Sequence, residues 1–228
     1  MSTPDRRPGG DRGAGIAIAV IPFLVFLVAQ VVVFAAAAPA NRRLLLFSPG
    51  WALGSIAIYA ALIGATFWVV RGIDPTRGIL GLRRTPLVPA VALVVVLTVA
   101  GTAASLLLEP VFHAGRGQDI HPVPFPGGAS ATVGLVGAAL VLVVVGPFAE
   151  ELYYRGLVLG AARPFGTAIA VGGAALFFAL SHLEPAGIPV IAILGVLLGY
   201  ARVRTGSLWP AVAIHAINNA VALALALH

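Results

Sequence analysis

Runs of about twenty apolar residues recur along this chain, and they limit its fold more than any other feature. A bilayer core about 30 Å thick is crossed by about 20 helical residues. Within that core the backbone must bond to itself, which leaves helices or closed barrels. Runs of this length read as transmembrane helices. Hydrophobic residues make up 60% of the chain and charged residues 10%, with a mean hydropathy of +1.02. A soluble domain carries about 25% charged residues, so little soluble mass is expected. The fold class that follows is all-α: a polytopic transmembrane helix bundle with about seven spans. They fall at about 14–38, 51–70, 87–108, 131–162, 167–183, 187–202 and 208–227.

The net charge of +6 comes from arginine alone, since the chain has no lysine. It fits membrane topology and gives no reason to expect nucleic acid. With the N-terminus inside, eleven arginines fall on inner segments and three, Arg42, Arg43 and Arg116, on outer ones. Discounting Arg155, which lies within a span, leaves ten against three. This predicts a multi-pass cell-membrane protein with a cytoplasmic N-terminus and an external C-terminus. Residues 1–13 read as a disordered cytoplasmic tail. The run Val20 to Ala40 is too long for a signal-peptide core and reads as a retained helix. The segment Gly78 to Arg84 is expected at the inner interface. The Ala, Val, Gly and Arg bias without lysine suggests a GC-rich bacterial source. With no cysteine, disulfides and thiolate metal sites are excluded.

Against this apolar background, Glu150 and Glu151 stand side by side in the fourth span. A carboxylate inside a bilayer costs a few kcal/mol even on lenient scales. Glu151 and Arg155 are spaced i, i+4 with the acid first, which favours an ion pair. Glu150 has Tyr154 at i+4 and so lacks a partner on its own helix, which marks it as the functional carboxylate. The fourth span is about 48 Å long at 1.5 Å per residue and must tilt, kink near Gly146-Pro147 or project. About the turn Arg163 to Gly166 it forms a hairpin with the fifth span. That hairpin brings His182 to the depth of Glu150, with Gly172, Gly173, Ala174 and Ala175 allowing close approach. Phe178 reads as packing behind the site. On the last span, His215 and Asn219 share a helix face, with Asn218 adjacent. Glu184 reads as solvated, and His113, His121 and His228 receive no role.

Several chemistries remain open at this point. Two imidazoles and a carboxylate, His182, His215 and Glu150, would make a plausible His₂Glu zinc site with an open position. A metal-free route is favoured because no HExxH pair lies on one helix, so no cofactor is favoured and zinc stays open. A proton-coupled transporter would use buried Glu and His too. It predicts an inverted repeat, and the first half carries no matching polar set. A non-enzymatic binding or immunity protein, and a haem held between His182 and His215, complete the alternatives.

Three local patterns coincide in order and spacing: Glu150-Glu-Leu-Tyr-Tyr-Arg155, Phe178-Ala-Leu-Ser-His182 and His215-Ala-Ile-Asn-Asn219. Together they resemble the CPBP family, which includes the CAAX prenyl endopeptidases and relatives linked to bacteriocin self-immunity. The resemblance covers about residues 131–225. It divides the chain into N-terminal transmembrane helices, 14–130, and a catalytic CPBP-like core, 131–228. It implies an intramembrane endopeptidase acting on a peptide or membrane-protein substrate within the lipid bilayer. By that resemblance Glu150 would be the general base and His182 would orient the water. His215 and Asn219 would hold the oxyanion, with Glu151 and Arg155 in support.

Overall fold

The computed structural model describes residues 20, 24, 26–29, 31, 45, 47–74, 76–112 and 126–227. From Pro49 on, six helices longer than one turn follow one another among the described residues, and no described residue lies in a strand: α1 Pro49–Ile73, α2 Leu87–Phe112, α3 Ala129–Phe165, α4 Thr167–Ser181, α5 Ile188–Thr205 and α6 Trp209–Ala226. All but α4 are long and apolar enough to cross a membrane. The chain is therefore a multi-pass, all-α membrane protein. The tail 1–13 and most of the expected first span 14–38 lie outside the described residues, although residues 20, 24, 26–29 and 31 are helical.

Local chemistry sets the helix ends. Ser48 caps α1, its hydroxyl accepting from the Trp51 N–H at 3.2 Å, and Pro49 occupies the first turn. The fifth span proves shorter than expected. α4 has 15 residues, about 22 Å of helix, less than a hydrocarbon core. Leu183 adopts a left-handed φ of +55°, uncommon for a bulky residue, and turns the chain away just beyond His182.

α2 leaves Leu87, Val88, Val99, Leu106 and Leu107 exposed. On a soluble protein such a face would be a binding or aggregation surface; here it meets lipid. The core forms instead where α3 packs among α1, α4, α5 and α6, around Leu152, Tyr153, Tyr154, Leu157 and Phe178. Rings report the α3–α4 hairpin directly, with Tyr154 edge-on to Phe177 at 5.7 Å and to Phe178 at 5.1 Å. The expected small-residue contact is only partly seen. Gly172 and Gly173 face open space, Ala174 packs with Leu159 of α3, and Ala175 meets Gly195 of α5.

The segment after α1, expected at the inner interface, is bound into the bundle. Leu80 is fully buried against Gly156, and Ile79 covers Gly160. The Leu208 N–H donates to the Gly81 carbonyl at 2.8 Å, and Ser207 Oγ to the Arg83 carbonyl at 2.7 Å. Two glycines at positive φ, Gly81 (+67°) and Gly206 (+65°), are each covered by an arginine of the other segment, Arg202 and Arg83. The guanidinium of Arg83 also donates to the Gly206 carbonyl at 2.6 Å, and that of Arg202 to the Ile79 carbonyl at 2.9 Å. The arginine-bearing α1–α2 connection and the arginine-bearing last turn of α5, with the turn that follows it, thus meet at one end of the bundle.

Candidate active site

The site begins with a proline. Pro147 has no N–H, so α3 cannot keep an unbroken α-helical ladder across it. The helix widens to a π register over Leu140–Val145, and the Gly146 N–H bonds the Val141 carbonyl. The Leu142 carbonyl then loses both helical donors. The N–H of Gly146 is directed elsewhere, and residue 147 has none. Asn219 fills the gap from α6, its Nδ2 donating to Leu142 O at 2.9 Å. A second π segment, Leu152–Val158, follows at once. Glu150 and Glu151 stand at the end of the short α-helical piece between them, Gly146–Glu151.

The two carboxylates have different surroundings. The Glu151 side chain is fully buried, and its Oε1 accepts from Arg155 Nη1 at 2.8 Å and from His215 Nδ1 at 2.9 Å. Oε2 has no hydrogen-bond partner among the described residues. Arg155, also fully buried, donates through Nη2 to the Gly195 carbonyl at 3.2 Å and stacks on Phe178 at 4.3 Å. The expected Glu151–Arg155 pair is therefore present, and it has a second task in holding His215.

Glu150 retains 14% side-chain exposure. Its Oε1 accepts from the Tyr59 hydroxyl of α1 at 2.7 Å, and its Oε2 lies 3.8 Å from His215 Nε2. The sequence correctly leaves it unpartnered on its own helix, but the partner comes from the N-terminal half. The only sequence signal for Tyr59 is that it is the sole tyrosine between Ser48 and Asp74.

His182 is placed differently. It ends α4, exposed, and its Nδ1 donates to the Phe178 carbonyl at 2.8 Å. No hydrogen bond or ion pair joins it to Glu150. In the neutral ring this leaves a lone pair on Nε2. Phe178 links it to the rest of the site, packing edge-to-face on His182 at 4.7 Å and on His215 at 5.5 Å. Asn219 is near but occupied, with one amide hydrogen on Leu142. Glu184 is half-buried, not solvated. Among the described residues no three His, Asp or Glu side chains gather as a metal-ligand group. As arranged, the Glu150, His182 and His215 set does not fit one ion.

A bundle of apolar helices enclosing a Glu–His–Arg cluster is a membrane protein with a polar site built into its core. Residues 132–221 match the Rce1-like family, described as type II CAAX prenyl endopeptidase. Over that segment, less than half of the chain, it is similar to the CPBP/CAAX protease family of intramembrane proteases. No curated protein and no solved structure matches the chain.

Proposed function

We propose that this chain is an intramembrane endopeptidase that hydrolyses a peptide or membrane-protein substrate with water activated by Glu150. The supporting observation is the asymmetry of Glu150. One oxygen is tied to Tyr59 and the other points toward His215, on a side chain that keeps 14% exposure.

In this reading Glu150 Oε2 takes a proton from water as the water oxygen attacks the scissile carbonyl carbon. His182 Nε2 accepts the water's other hydrogen and orients it. In this reading His215 acts in its imidazolium form. With Nδ1 donating to Glu151, the protonated ring presents Nε2–H to the developing oxyanion. The remaining amide hydrogen of Asn219 is the second donor. When the tetrahedral intermediate collapses, Glu150 passes its proton to the leaving amine. No step is routed through a metal. We place the arginine-rich end in the cytoplasm. The absence of cysteine makes single-cysteine labelling at Thr85→Cys a clean check, and labelling only from outside would reverse this orientation.

Cleavage of a fluorogenic peptide panel in nanodiscs tests the proposal, with bound zinc measured on the same samples. Wild type is expected to cleave in a chelator-resistant way, while Glu150→Ala and Glu150→Gln are inactive but folded. Full activity in Glu150→Gln would end the general-base assignment.

A further inference from the structure

We infer that Tyr59 is a positioning residue for Glu150, its hydroxyl pinning Oε1 so that Oε2 alone takes the proton of water. This rests on the general-base reading above and extends the site beyond residues 132–221, into a helix the family match does not cover. An ionised carboxylate only accepts, so the phenol donates. At 2.7 Å the bond is a short, charge-assisted one. Tyr59 is buried at 8% exposure. Phe26 packs on its ring at 5.4 Å. Gly146 also stands beside it, where an added Cβ would lie 3.3 Å from both Cζ and the hydroxyl oxygen. The glycine of the π turn therefore leaves the space in which the phenol reaches Glu150.

The chemical need is specific. A free carboxylate can rotate and present either oxygen, and only Oε2 faces His215. Holding the reacting atom in place accelerates the step without tightening substrate binding. Loss of the hydroxyl is therefore expected in kcat and not in KM.

The experiment compares wild type, Glu150→Ala and Tyr59→Phe in nanodiscs, each checked for thermal unfolding. Tyr59→Phe keeps the ring and its packing. Its kcat is expected to fall about 10- to 100-fold, the worth of a hydrogen bond to a charged group, with KM within about twofold. A second arm places fluorinated tyrosines at position 59, which retain ring and hydroxyl but strengthen donation in steps. kcat should move progressively along that series at constant KM, a response that ring packing alone cannot produce. Folded Tyr59→Phe with wild-type kcat overturns the inference while Glu150 dependence stands. If Tyr59→Phe does not fold, a flat fluorotyrosine series overturns it equally. Cleavage that survives in Glu150→Ala overturns the protease mechanism and this inference together.

Discussion

Asn219→Ala separates two tasks that one side chain carries. Its Nδ2 is the donor to Leu142 O, and neither helical donor serves that carbonyl, because the Gly146 N–H bonds Val141 and Pro147 has none. Hydrogen bonds between membrane helices average about 0.6 kcal/mol and reach about 1.7 kcal/mol. The low average reflects partners that find replacements, and here α3 offers none. A loss near the upper end, about 1–2 kcal/mol, is expected in a denaturant titration of the purified protein in mild detergent. The structure also specifies the repair. Pro147→Ala returns an N–H to α3, whether the helix keeps its π register or closes to α. In either case Leu142 regains a donor. Asn219→Ala combined with Pro147→Ala should therefore recover at least half of the lost stability. If Asn219 also supplies an oxyanion donor, turnover of the stable double variant stays roughly 10²–10³ below wild type. Wild-type stability in Asn219→Ala, or no recovery on adding Pro147→Ala, would refute the orphan-carbonyl argument.

Other perturbations test neighbouring parts. Arg155→Met leaves the Glu151 carboxylate buried without its cation and should cost about 3–5 kcal/mol by the same titration. Arg155→Lys should fall between, since an ammonium cannot reproduce the fork to Glu151 and Gly195 or the stacking on Phe178. Gly81→Ala forces a side chain into a left-handed residue beneath Arg202, at about 1–2 kcal/mol for the backbone alone. Limited proteolysis should then cut between Asp74 and Pro86. Asp74 accepts from the Thr76 hydroxyl and the Thr76 and Ile79 N–H groups, and the Thr76 bond chiefly holds its pKa below the ordinary value. A lowered folded pKa means the contribution is complete above the unfolded value, about 3.9, and fades as pH falls through the folded one. Proteolysis of this loop should rise below pH about 4 in wild type, and Asp74→Asn should abolish that rise.

Much of this architecture is legible in the sequence, and the failures have a common cause. Apolar run length and arginine placement locate α1, α2, α3, α5 and α6 to within a few residues. Counting outward from Arg163–Gly166 pairs α3 with α4, as the Tyr154–Phe177 contact bears out. Rise along a helix gives depth but not azimuth. Two π segments rotate whatever follows them, so depth alone could not tell that His215 meets both carboxylates while His182 bonds its own helix. Pro147 signalled a disturbance in α3, but its form depends on which donor each carbonyl finds. Tyr59 was hidden because its partner is 91 positions away, and a lone tyrosine in an apolar helix carries no pattern.

The ring of Phe178 touches a member of each of the three motifs: His182 one turn along its own helix, His215 on α6 and the Arg155 guanidinium on α3. Losses at these positions will therefore not combine as independent quantities. Residues that share a partner couple, and the sum of single losses misstates the joint one. An alanine scan would credit Phe178 with part of each neighbour's effect, and each neighbour with part of its own. The useful unit for mutagenesis here is the ring and its three faces, because a change at any one of them resets the reference state for the other two.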